Sequence, residues 1–146
     1  MMTKPQKTAW VKAMDFLARR DHSEKELTEK LLKHFELSEI EPVLEEMKER
    51  GWLPQPEELA QKVTENLHMK KKGHLYIQNF LRQKGLPETP KDMDRELEKA
   101  RNLVHSKSQD LSNTKKTASL LKNRGFDTET IARVIHEIRQ NTPSLY

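Results

Sequence analysis

The chain has 146 residues, 34% of them apolar and 34% charged, with a formal net charge of +4. An average globular domain is roughly 45–50% apolar and 25% charged, so this composition excludes a thick core and favours thin helical packing with much of each helix in water. There is no cysteine, which excludes disulfides and thiolate chemistry, and no apolar run exceeds three residues, which argues against a membrane helix or a signal-peptide core; a reducing cytoplasm is the expected compartment.

Apolar residues recur at spacings of three and four, so the pattern predicts helices throughout and no strand. The first helix spans about Thr8 to Arg19, with Trp10, Ala13, Met14 and Leu17 inward. A second opens at Ser23, whose hydroxyl and Glu26 form a capping box between His22 and Leu27, and buries Leu27, Leu31 and Leu32. A second box, Ser38 with Glu41, is expected to open a third helix with Ile40, Val43, Leu44 and Met47 inward. That placement puts Pro42 in the first turn, where its missing N–H costs nothing. The helix should stop at Gly51, with Trp52 and Leu53 folding back.

Pro54 and Pro56 mark a joint. A fourth helix carries Leu59, Val63, Leu67 and Met69 to about Lys70, and after Lys70-Lys71-Lys72-Gly73 a fifth carries Ile77, Phe80 and Leu81 to Gly85. Thr89 is expected to cap a sixth helix that begins at Pro90 and lines Met93, Leu97, Ala100 and Val104 along one face to about Ser106. A polar loop over 106–114 precedes two last helices, one with Ala118, Leu120 and Leu121 inward, the other with Ile131, Val134, Ile135 and Ile138. Each of the four glycines is expected just past a helix end, where a left-handed residue is wanted.

The segments Leu81–Leu86 and Leu121–Phe126 match in residue character at every position, forty residues apart, and the pattern after Phe35 matches that after Phe126. The expected architecture is therefore all-α: tandem three-helix repeats in an elongated, curved array, with a shortened middle repeat. The expected units are 1–53, 54–93 and 94–140, followed by a frayed tail at 141–146.

The stretch from Leu17 through Arg19, Arg20, His22, Ser23, Glu26, Leu27 and Lys30 to Leu31 resembles the opening signature of the RecX regulatory family. The later Lys84-Gly85-Leu86 and Arg124-Gly125-Phe126 turns, and Ile131, Val134 and Ile135 after them, are similar to later parts of that family. The resemblance implies tandem three-helix repeats and a modulator that binds RecA recombinase and its filament on single-stranded DNA. It implies mostly suppression of strand exchange, ATP turnover and co-protease function. It brings no catalytic residues, and Ser23, Glu26, Leu27 and Leu31 have structural explanations of their own.

Charge is unevenly spread, with a net of −3 over residues 1–69 and +7 over residues 70–146. A basic half suits a polyanion or an acidic protein surface. The candidate DNA- and filament-binding residues are Lys70, Lys71, Lys72, Arg82, Lys84, Lys115, Lys116, Lys122 and Arg124, with Arg19, Arg20, Lys30 and Lys33 as their counterparts in the first unit. Tyr76 is a candidate for base stacking, although packing explains it as well. The six histidines show no ligand spacing, and there is no glycine-rich phosphate loop or nucleophile–base pair. The chain is thus expected to be a non-enzyme without metal or cofactor, acting as a monomer away from membranes, with DNA binding weak or filament-dependent. Two other readings stay open: a helix-turn-helix DNA binder, disfavoured by the acidic residues 39–49, and a helical scaffold for an acidic or amphipathic protein segment.

Overall fold

The computed structural model describes residues 8–107 and 113–141. Eight helices and no strand are found among them: α1 (Ala9–Arg19), α2 (Glu24–Leu31), α3 (Leu37–Glu49), α4 (Pro56–Met69), α5 (His74–Gln83), α6 (Met93–Lys107), α7 (Thr114–Asn123) and α8 (Thr128–Asn141). No helix separates Gln83 from Met93, so the middle repeat lacks its third member. The chain forms two compact units. One runs to Ala60 and includes Arg82–Pro87; the other takes Gln61–Leu81 and the chain from Glu88 onward.

In the first unit α1, α2 and α3 pack on one another around Ala13, Leu27, Leu31, Ile40, Leu44, Met47 and Leu53. Thr8 caps α1 by accepting the Val11 amide, and the Ser23–Glu26 capping box opens α2 as expected. Five expectations fail here, at Met14, Leu32, Ser38, Pro42 and Trp52. Met14 and Leu32 are exposed: α2 ends at Leu31, so Leu32 falls on the cap and turns outward. The third helix starts one residue before Ser38, with Glu36 as its cap and the Glu36 amide donating to the Glu39 carboxylate at 3.2 Å. Pro42 therefore stands inside the helix, where it removes a ladder bond to the carbonyl four residues back. Leu53 folds back and is buried, whereas Trp52 stays 42% exposed, 5.4 Å from the Trp10 ring.

In the second unit α6, α7 and α8 pack together around Leu97, Ala100, Leu103, Val104, Leu121, Phe126 and Val134. Met69, the last residue of α4, is 76% exposed, contrary to expectation. Thr89 does not cap α6. It is buried, its amide donating to Gln78 Oε1 at 2.9 Å and its hydroxyl bonded to Gln78 Nε2 and Thr64 Oγ1, both at 3.0 Å. Asp92 caps instead, accepting the Arg95 amide at 3.2 Å, because α6 begins at Met93 and not at the expected Pro90, which leaves Thr89 three residues before the cap. Of the expected loop at 106–114, Ser106 and Lys107 continue α6, Thr114 begins α7, and 108–112 lie outside the described residues. Of the expected tail, Asn141 closes α8 and 142–146 lie outside the described residues.

A recurring joint explains the repeat. In the first unit the Ser23 hydroxyl, at the cap of α2, donates to the Lys84 carbonyl, just before Gly85. In the second unit the Gly73 amide, at the start of α5, donates to the Arg124 carbonyl, just before Gly125, at 2.9 Å. In each case the glycine turn that ends one repeat's second helix seats on the N-terminus of the preceding repeat's second helix. The residues after these glycines, Leu86 and Phe126, are buried.

Candidate nucleic-acid interface

The lysine turn is built by the end of α4. The Lys71 amide donates to the His68 carbonyl at 2.9 Å and the Lys72 amide to the Leu67 carbonyl at 3.0 Å, the paired bonds that close a helix through a left-handed residue. That residue is Lys71, with φ +59°, whereas the equivalent positions after α3, α5 and α7 are Gly51, Gly85 and Gly125. A non-glycine residue is strained there by roughly 1–2 kcal/mol. Lys71→Gly is accordingly expected to raise unfolding free energy by about 1 kcal/mol, offset in part by the freer unfolded chain, as urea denaturation would read. A fall in stability would mean that the Lys71 side chain makes a compensating contact.

Gly73 is not the left-handed residue that sequence predicts. Its role is close approach: a Cβ there would lie 2.4 Å from the Gly125 carbonyl carbon and the Phe126 nitrogen. The Leu75 amide adds a second bond across the joint, to the Gly125 carbonyl at 2.9 Å. Two cationic turns, Lys70–Gly73 and Lys122–Gly125, are thus clamped backbone to backbone. The Gly73 and Leu75 amides at the start of α5 are taken by this joint and the His74 amide by Glu96 Oε1 at 2.7 Å, so attraction for anions here rests mainly on side chains.

Beneath the turn lies a buried polar group that sequence analysis does not single out. Glu96 and Lys99, one turn apart on α6, are 1% and 6% exposed and form an ion pair. Lys99 Nζ also donates to the Lys72 carbonyl at 2.6 Å and to His68 Nδ1 at 2.7 Å. Lys99 thereby fixes the lysine turn from below while Glu96 fixes the start of α5. The signal for it was in the sequence: two opposite charges within the apolar register of α6, beside Leu97, Ala100 and Leu103.

Burial first, then the Lys99 and Arg95 charges, lower the His68 pKa from 6.5 to about 4. The folded chain keeps this imidazole neutral while the unfolded chain protonates it, so its contribution is present above pH 6.5 and lost as pH falls toward 4. Burial also lowers His22, whose Nδ1 bonds the Arg20 carbonyl at 3.0 Å and whose Nε2 accepts from Lys30 at 2.8 Å. Glu26 and Asp127 continue the loss at lower pH. Burial pushes both carboxyls up, but hydrogen bonds from Arg20, the Ser23 amide and Lys84 hold Glu26 at about 2, and those from Lys91 and Thr130 hold Asp127 at about 2. Denaturation at stepped pH is expected to show about 1–3 kcal/mol lost between pH 6.5 and 4 through His68. His68→Gln should flatten that limb, and an unchanged limb in the variant would exclude His68 as its source.

The structure sorts the candidate cations. Among the described residues of the second unit, the two arginines of α6 and Lys91 are neutralised: Arg95 by Glu65, Arg101 by Glu137, and Lys91 by Asp127 and Glu129. Lys70, Lys71, Lys72, Lys115, Lys116, Lys122 and Arg124 form no ion pair with a described carboxylate. Lys70 and Lys122 are exposed, and Lys72 Nζ sits 4.7 Å from the centre of the Tyr76 ring, which is itself 38% exposed. Lys115 and Lys116 lie at the start of α7, on the far side of about 10 Å of helix from Lys122.

Arg82 and Lys84 belong to the first unit. Lys84 is bound to Glu26 at 3.2 Å, as is Arg20 at 2.9 Å, and Lys30 serves His22 and the Phe16 ring. The signature residues Arg20, His22, Ser23, Glu26 and Lys30 are therefore one network that seats the Lys84–Leu86 turn on α2, and a structural duty accounts for each.

Residues 9–47 match the model of the first three-helix domain of RecX. The chain is 35% identical over 138 residues to a regulatory protein RecX of Neisseria meningitidis serogroup C, covering 88% of this chain and 89% of the relative. It is 33% identical, with the same coverage, to a regulatory protein RecX of Neisseria gonorrhoeae.

Proposed function

The chain belongs to the RecX regulatory family, and from that premise we propose that it binds RecA recombinase and its filament on single-stranded DNA and lowers strand exchange, ATP turnover and co-protease function. It acts as a non-catalytic monomer, through three helical repeats spanning 1–53, 54–93 and 94–140. The observation that carries this reading is the set of cations on two clamped turns and α7 that no described carboxylate neutralises, beside a helix whose arginines are all paired. Phosphates would release condensed counterions on meeting those side chains, and that gain is independent of base sequence. Arg82 and Lys84 contribute less, since Lys84 is already engaged with Glu26.

The test is a salt titration of binding to oligo(dT), alone and coated with recombinase. Each lost phosphate contact lowers the slope of log affinity against log salt by about 0.7 on a single strand. Lys70→Glu, Lys71→Glu and Lys72→Glu together are expected to flatten that slope by about 2 and to relieve suppression of recombinase ATP turnover, with helical content unchanged by circular dichroism. No suppression by the unaltered chain at several-fold excess over recombinase would refute the regulatory reading. An unchanged slope in the triple variant would refute the site.

A further inference from the structure

Beside the clamped turns, α5, α7 and α8 leave an open groove of about 330 Å³ within the second unit. Its floor is Ala118, Ser119 and Phe126, its walls are Leu75 and Ile131, and Lys122 stands at its rim. It exists because α7 presents two small residues in succession where its neighbouring positions, Leu120 and Leu121, are large. Leu75 is 55% exposed, yet it is no loose surface leucine: its amide is held by the Gly125 carbonyl at 2.9 Å, so its side chain stands on a fixed wall.

The geometry points to this groove as the docking site for an amphipathic helical segment of a protein partner, with leucine-like side chains inserted between Leu75 and Ile131 and carboxylates flanking them. Charge complementarity selects the occupant. Lys115 and Lys122 lie two turns apart on the α7 face that carries Ala118 and Ser119, so cations bracket the groove lengthwise. Lys122 forms no ion pair with a described carboxylate, and neither does Lys115. A basic or neutral segment would leave them opposed or idle. Nucleic acid matches the cations but not the walls: Leu75 and Ile131 are aliphatic, and the uncharged polar lining is limited to Ser119 and Thr128. A helix laid in a groove presents apolar anchors at i, i+3, i+4 and i+7, the repeat that a groove along α7 accepts. This deepens the function proposed above by giving the cationic turns a protein-reading neighbour.

Fluorescence anisotropy of the full chain with three labelled peptides of about four helical turns tests it. One carries leucine at the anchor positions and glutamate at the flanks, one has lysine in place of glutamate, and one has serine in place of leucine. The glutamate–leucine peptide is expected to bind at least about ten-fold more tightly than either control, and Leu75→Ser and Ala118→Phe each to weaken it by about ten-fold while oligo(dT) affinity changes less than about two-fold. Leu75→Ser alters an exposed side chain and keeps the test valid should Ala118→Phe misfold. Equal binding of the three peptides, or a loss in Leu75→Ser of oligo(dT) affinity but not of peptide affinity, overturns the inference. Recombinase-filament binding that survives in Leu75→Ser but fails in the Lys70–Lys72 triple variant would leave the proposed function standing and remove the groove from it. Absence of filament binding by the unaltered chain, with peptide selectivity intact, would do the reverse.

Discussion

Replacing Gly73 with alanine is expected to lower unfolding free energy by about 2–4 kcal/mol, an effect larger than any surface lysine can produce. The added Cβ would sit 2.4 Å from backbone atoms of Gly125 and Phe126. Backbone cannot rotate away as a side chain can, so the two turns must part. Parting them loses the bonds from the Gly73 and Leu75 amides and uncovers Phe126, now 1% exposed. Gly125→Ala meets Tyr76 Cβ at 2.4 Å and adds left-handed strain at φ +91°, so it should cost at least as much. Gly85→Ala is the contrast. Its Cβ meets Lys25 Cδ at 2.9 Å, which can swing away, and Lys25 Cβ at 2.8 Å, which must shift by a few tenths of an ångström but is not backbone, so the expected cost is the left-handed term plus that shift, about 1–2 kcal/mol. Urea denaturation of the three variants would rank them. A loss under about 1 kcal/mol in Gly73→Ala would mean that the joint is looser than its geometry states. Because the joint also brings Lys70–Lys72 beside Lys122 and Arg124, Gly73→Ala should flatten the salt dependence of oligo(dT) binding without removing one positive charge.

That joint marks the boundary of what sequence alone reveals. Helix positions followed from apolar spacing, and the Ser23–Glu26 box from a local rule, because those depend on residues within one turn of each other. The matching glycine turns were legible as a repeat. What they seat on was not, since the bond between Gly73 and Arg124 spans about fifty residues and no periodicity encodes it. Capping failed where two starts competed: Ser38 is the better cap by type, yet the helix opens at Glu36, whose amide donates to the Glu39 carboxylate, and because Ile40, Leu44 and Met47 face inward for either start, the apolar register could not choose between them. Thr89 failed because α6 begins at Met93 rather than Pro90, and its hydroxyl bonds Gln78 and Thr64 in the core. For the candidate site, sequence could find cations but not which of them are neutralised. Lys84 and Arg124 occupy the same position in the repeat alignment, and only the fold shows Glu26 beside the first.

Lys99→Met is expected to be the most damaging single change at the site, costing about 3–5 kcal/mol, because it leaves the Glu96 carboxylate charged and buried without a counterion. The comparison that gives this meaning is the double variant Glu96→Gln with Lys99→Met. Glutamine keeps an oxygen for the His74 amide while removing the charge, so the double variant should lose about half as much as the single one, or less. A double variant as unstable as the single one would mean that Lys99 acts through its bonds to the Lys72 carbonyl and His68 rather than through Glu96. The two roles separate in a second measurement. Even with charge balanced, nothing in the double variant donates to the Lys72 carbonyl, so the left-handed turn at Lys71 is no longer held from below. Amide hydrogen exchange at Lys71 and Lys72 is expected to quicken in both variants alike, while exchange in the α7 and α8 core quickens only in Lys99→Met. The buried pair would then have two separable duties: Glu96 makes the lysine tolerable in the core, and Lys99 sets the geometry in which three adjacent cations are presented.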